Sequence, residues 1–166
     1  MSGTPFKKNN MILRKLFNLF LFAAVSYIGW IFISASLDKI VDPSSFSKSI
    51  SNYEITPYWI NNLLALFFPW IELICGILMF VGLYYFFKNK SKLIDIPNNI
   101  IILMLLWFII ILSVAVYRDL DIDCGCGISD DKTTPFERLI KDIYLLITSI
   151  IIKFRLRITS FLNRKN

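Results

Sequence analysis

The chain has 166 residues, 56% of them hydrophobic, with a mean hydropathy of +0.62 and a formal net charge of +6. Soluble domains carry roughly 45–50% apolar residues, so a water-soluble fold of this size has no core large enough to hide the excess. The basic residues flank apolar blocks instead of forming a polar domain, which argues against nucleic acid as a partner, and the absence of histidine removes His-based triads and most zinc sites.

Residues 16–37, LFNLFLFAAVSYIGWIFISASL, carry no charge. At about 1.5 Å per residue they are long enough to cross a ~30 Å hydrocarbon core. Basic residues precede this block and Ser34-Ala35-Ser36 lies near its end, as before a signal-peptide cleavage site. The apolar run exceeds the roughly 7–15 residues of such a peptide, so it reads as an uncleaved span.

The loop 38–62 follows, alternating polar residues with Ile40, Val41, Phe46, Ile50, Tyr53, Ile55 and Trp59. Asp42-Pro43 predicts a helix stop. Phe46, Ile50 and Tyr53 then stand at helical spacing in a short amphipathic helix over 44–53. Tyr58 and Trp59 suit an interfacial aromatic belt. The loop reads as an anchor lying on the membrane, with a substrate site as the alternative.

The second span, 63–87, contains one charge, Glu72. It stands roughly 15 Å inside the span, where an ionised acid costs about 2.5–3.5 kcal/mol. Glu72 is therefore expected to be neutral or to pair within the bundle, with Ser26, Tyr27 and Ser34 of the first span as candidate partners. Two roles stay open for it: a proton carrier or polar handle for a bound quinone, and a buried hydrogen-bond staple. Gly76 admits a neighbouring helix. Cys75, on nearly the same face as Glu72, reads as a small core residue, with a redox thiol as the alternative.

The third span, 98–117, is uninterrupted. The fourth, 139–157, is weaker, with Lys141 and Asp142 near its start and an uncharged stretch, 143–152, too short to cross alone. Snorkelling of Lys141 at one end and of Lys153 and Arg155 at the other extends it. An interfacial amphipathic helix is the alternative.

The charges divide the segments. The two termini and the stretch between spans two and three hold 12 of the 18 Lys and Arg, whereas the loops 38–62 and 118–138 with the start of the fourth span hold 10 of the 12 acids. The positive-inside rule puts both termini in the cytoplasm and both loops outside. The expected architecture is an all-α integral membrane protein: one domain, 1–166, forming a four-transmembrane-helix bundle.

The outward loop 118–138 carries Asp121-Ile122-Asp123-Cys124-Gly125-Cys126-Gly127, with two of the three cysteines of the chain. The compartment it faces lets disulfides persist. Two extended residues span roughly 6.6–7.2 Å, while a disulfide wants Cα atoms ~5.5–6 Å apart, so the chain must bend, as Gly125 and Gly127 allow. A disulfide across one residue is strained, and strained, exposed disulfides are the exchange-competent ones. Asp119, Asp121 and Asp123 disfavour the thiolate unless Arg118, Lys39 or Lys141 covers the loop. Three readings stay open here: a redox-active disulfide, a metal clip and an inert pair. Two thiolates fall short of the four ligands of a structural zinc site, so no metal is assigned.

Four elements resemble the MauE/DoxX family of redox-associated membrane proteins, over about residues 29–146. These are Lys39-Ile40-Val41-Asp42-Pro43-Ser44-Ser45-Phe46, similar to the family's K-hydrophobic-x-D-P-x-x-F segment; Tyr53-Glu54-Ile55-Thr56-Pro57; Pro69-x-x-Glu72-x-x-x-Gly76; and Asp123-Cys124-Gly125-Cys126-Gly127, similar to the family's CGCFG. Gly127 replaces the aromatic of that last motif. The resemblance implies a four-helix protein of the bacterial inner (plasma) membrane that helps form disulfides in a periplasmic partner. For the MauE branch that partner is methylamine dehydrogenase.

On that basis Cys124 and Cys126 are expected to be the redox pair. Glu72 is expected to be the intramembrane proton or polar group. Cys75, Lys39, Arg118, Lys141 and Asp142 are further candidates. Electrons are expected to leave to a quinone, the one cofactor considered, or to a thioredoxin-like protein. A non-catalytic membrane anchor or assembly subunit of a quinone-linked periplasmic enzyme is the alternative function.

Overall fold

The structure, a computed structural model, describes residues 5–52, 57–86, 91–118 and 134–164. Helix α1 spans Pro5–Val41, α2 Pro43–Asn52, α3 Tyr58–Phe86, α4 Asp95–Tyr117 and α5 Pro135–Arg164. A short 3-10 turn, Ser91–Ile94, leads into α4, and no strand occurs among the described residues.

The four long helices form one bundle, with α1 packed along α3 and α4 along α5. Contacts of α5 with α1 and of α3 with α4 close it, and α2 lies against α3. Apolar residues at helical spacing make the core: Leu21, Val25, Ile28 and Phe32 of α1 meet Cys75 and Met79 of α3 and Ile101 and Leu105 of α4. Between α1 and α3 the approach is close. A Cβ on Gly76 would stand 3.0 Å from the carbonyl oxygen of Gly29 and 2.8 Å from Ile33 Cγ1. Without a hydrophobic force between helices in lipid, such close backbone packing is what holds them together.

Lys15–Val41, Trp59–Tyr85 and Asp95–Tyr117 are long and apolar enough to cross a membrane. Their outer faces expose Leu19, Trp30, Phe67, Leu103 and Ile110. This is a multi-pass membrane protein. The described helices extend beyond the expected spans 16–37, 63–87 and 98–117 at most ends, because the helical backbone continues past the last apolar residue into the charged flanks.

The fourth long helix is built differently. α5 is too polar overall to stand with those three, and its polarity is inverted. Asp142, Leu145, Ser149, Ile152 and Arg155 form its buried stripe, whereas Ile140, Ile143, Tyr144, Ile147, Ile150 and Phe154 point outward. Lys141 and Lys153 are exposed near its two ends.

Arg155 corrects the sequence expectation. It does not snorkel to the interface; it is 2% exposed and donates to Asp95 Oδ1 at 2.7 Å and to the carbonyl of Ile152 at 2.9 Å. An acid on the first turn of α4, itself only partly buried, offers it a charge partner that outweighs the pull of the headgroups. Asn98, one turn further along α4, donates to the carbonyl of Ser149 at 2.9 Å.

The chain turns from α1 into α2 where Asp42-Pro43 predicted. Asp42 Oδ1 accepts the Ser45 backbone N–H at 3.0 Å, an N-cap, and Pro43 takes the first helical position. Ser47 donates to Asn62 Oδ1 at 2.6 Å and fastens α2 to α3. Tyr53 lies outside the described residues.

Gly76→Ala is expected to force α1 and α3 apart and cost about 1–3 kcal/mol. Ile77→Ala, on the exposed face, should cost little. Unfolding of the two variants in detergent checks this; equal stability would contradict the close helix contact.

Candidate functional site

α1 does not end with its apolar run at Leu37, and the extra turn makes Lys39 helical. Side chains on a helix lean toward its N-terminus, so the lysine stem runs back down the bundle. Its Nζ meets both carboxylate oxygens of Glu72, each at 2.8 Å. Both residues are 3% exposed. The ammonium also lies over two rings, 5.0 Å from the Phe46 centroid and 5.2 Å from that of Phe108. Such placement adds a cation–π attraction that grows when the site is dry. Elements α1, α2, α3 and α4 therefore each contribute one group to one point.

This corrects two expectations. Glu72 pairs with Lys39, not with Ser26, Tyr27 or Ser34, because a full opposite charge compensates a buried carboxylate better than a hydroxyl does. Lys39 is turned inward to that acid, which leaves Arg118 and Lys141, both exposed, as the basic residues named for the cysteine loop. The sequence signal for Lys39 was its place in the K-hydrophobic-x-D-P segment. Its partner stayed hidden because its backbone lies beyond the apolar block while its charge lies within it.

A second acid stands close by. Asp142 of α5 is 1% exposed, and Arg138, one turn earlier, brings Nε to 3.4 Å from Oδ1. The other oxygen, Oδ2, has no hydrogen-bond partner among the described residues. Asp142 is near enough for the charges of Lys39 and Glu72 to act on it. A cavity of about 10 Å³ touches Glu72, Arg138 and Asp142. That is room for about one water. A larger groove of about 40 Å³ adjoins the same two α5 residues and is walled by Phe46, Phe68, Trp107 and Phe108. Sequence reasoning flagged Asp142 but missed Arg138; the i, i+4 spacing of opposite charges at a helix start was the available signal.

Cys75 is 2% exposed within the core and, among the described residues, forms no disulfide. It stands one turn from Glu72 and within reach of its charge. No group of three metal-ligating side chains occurs among the described residues. Cys124 and Cys126, with Asp119, Asp121 and Asp123, lie outside them.

Two of the sequence segments that carry the resemblance converge at this point. Lys39, Asp42, Pro43 and Phe46 supply the base, the cap, the helix start and one ring; Glu72 and Gly76 supply the acid and the close helix contact. The family model of methylamine utilisation protein MauE matches residues 17–155. The chain belongs to the MauE family. That range takes in every residue of the site, from Lys39 to Asp142, and both cysteines of the loop. No curated protein and no solved structure matches the chain.

Breaking a buried ion pair from one side strands the other charge, at a cost of about 3–5 kcal/mol, whereas replacing both partners by apolar residues is often close to neutral. Glu72→Gln is therefore expected to destabilise this MauE-family protein strongly, and Lys39→Met combined with Glu72→Leu to recover most of the loss. Chemical unfolding in detergent reads both. A double variant as unstable as the single one would contradict a purely electrostatic role for the pair.

Proposed function

We propose that this chain is a four-span inner-membrane protein that assists disulfide formation in a periplasmic protein through Cys124 and Cys126. The observation that carries the reading is the MauE family match, whose range encloses both cysteines. Its description points to methylamine utilisation, so the proposed client is a disulfide-containing protein of the methylamine dehydrogenase type.

Two features support the topology. The inverted α5, polar inward and apolar outward, is what lipid asks of a helix that completes a bundle. The basic residues gather at the termini and in the stretch between α3 and α4. Both termini are then cytoplasmic, and the segment between α4 and α5 faces the periplasm.

In this reading the Cys124–Cys126 disulfide is the electron acceptor. A client thiolate attacks one sulfur and forms a mixed disulfide; a second client thiolate attacks the client's sulfur in that bond. The client leaves with a disulfide, and the loop is left as a dithiol. Two electrons and two protons then pass to a quinone, giving a hydroquinone, or to the disulfide of a thioredoxin-like partner, and the loop disulfide returns. The Lys39–Glu72 pair takes no part in the exchange; it holds the frame. Because that pair is fully occupied, the second reading, a non-catalytic membrane anchor or assembly subunit, keeps its place.

Replacing Cys124 and Cys126 with Ser separates the two. Loss of the client's disulfides and activity supports the redox reading; normal client disulfides leave the anchor. A membrane-impermeant maleimide should label the cysteines from the periplasmic side, and only after reduction. Labelling from the cytoplasmic side would overturn the topology.

A further inference from the structure

Glu72 has both oxygens on Lys39 Nζ, so it has little left to offer a ligand. Asp142 is different. It is 1% exposed, its Oδ2 is unpartnered among the described residues, and it lines both the small cavity and the larger groove. A buried carboxylate oxygen without a donor is costly, and Asp142, unlike Asn98 and Ser149, which also keep an unpartnered oxygen among the described residues, lines a groove from which a ligand can supply the donor.

The groove says what else that something carries. Phe46, Phe68, Trp107 and Phe108 wall it, and Arg138 and Asp142 are its charged members. Its volume of about 40 Å³ is room for about three waters, or for the edge of one six-membered ring. Phe68 and Phe108 meet edge-to-face with centroids 5.3 Å apart, leaving ring surface on which a flat group can stack. Arg138 and Asp142 balance each other's charge, so an ionised head brings an uncompensated charge into a dry site. A neutral head with a hydroxyl does not.

We infer that this groove binds a neutral, lipid-soluble molecule with a single ring bearing a hydroxyl, a phenol or hydroquinone, and that Asp142 Oδ2 accepts the hydrogen bond of that hydroxyl. The hydroxyl-bearing edge of the ring enters between the four aromatic side chains, and Arg138 holds the other carboxylate oxygen in place. In one respect this deepens the proposed function, since a hydroquinone is the product left when a quinone takes the electrons of the cysteine pair. The binding itself involves no cysteine, so the two readings fail separately.

The test uses the full chain in detergent and two probes of equal shape, para-nonylphenol and para-nonylanisole, titrated by calorimetry. The phenol should bind saturably and at least roughly tenfold more tightly than its methyl ether, the worth of one hydrogen bond to a charged acceptor. Asp142→Leu should erase that difference. Ile111→Trp, which fills the groove and leaves the charges alone, should weaken both probes. If Asp142→Leu does not fold, the wild-type comparison and Ile111→Trp still decide. Equal binding of the two probes, uptake that never saturates, or saturable binding unchanged by Ile111→Trp would overturn the inference.

Discussion

Lys39 and Glu72 are opposite charges in a place that tolerates neither alone. The acid sits mid-way along α3, and the base reaches it from an α1 turn that the apolar pattern does not demand. In a low-dielectric interior each is costly until it meets the other, and then the geometry is narrowly fixed. Nζ must stand equally close to two oxygens while two rings close around it. That requirement sets how far α1 slides along α3, where α2 folds back, and which face of α4 turns inward. The Gly29–Gly76 approach answers the same need, because a wider gap between α1 and α3 takes the ammonium out of reach.

Polar groups elsewhere follow the same rule of inward pairing. Arg138 and Asp142 stand near one end of α5; Arg155, bonded to Asp95 of α4, stands toward the other. Between them α5 buries Ser149 and Ile152 and turns large apolar side chains outward. A helix with this many charges is too polar by composition to stand with the three apolar spans, yet Asp142 and Arg155 are turned inward. Asp142 Oδ2, like Asn98 Oδ1 and Ser149 Oγ, is buried without a hydrogen-bond partner among the described residues, and of these three residues Asp142 is the one that lines the groove.

The apolar blocks made the three long hydrophobic helices readable from the sequence, because an uncharged run of some twenty residues has few other uses. Asp42-Pro43 announced the break before α2 for an equally local reason. Glu72 was visible as an anomaly, and Cys75 as a core residue. What stayed hidden was pairing across elements. Lys39 looked like a loop residue and Arg155 like a snorkelling end. Each is resolved by a partner 33 to 60 positions away, and no local pattern carries such a distance. The groove was illegible for the same reason, since its walls come from four helices.

A buried ion pair, not a hydroxyl contact, satisfies the acid of α3. A dipolar-recoupling measurement in lipid bilayers addresses it directly, with ¹⁵N in the lysine side chains and ¹³C in the glutamate carboxyls, and Glu72→Gln as the control for assignment. One lysine ammonium should be strongly dephased by the Glu72 carboxylate carbon, as 2.8 Å contacts to both oxygens require. A lysine spectrum in which no ammonium responds to that carbon would contradict the pairing.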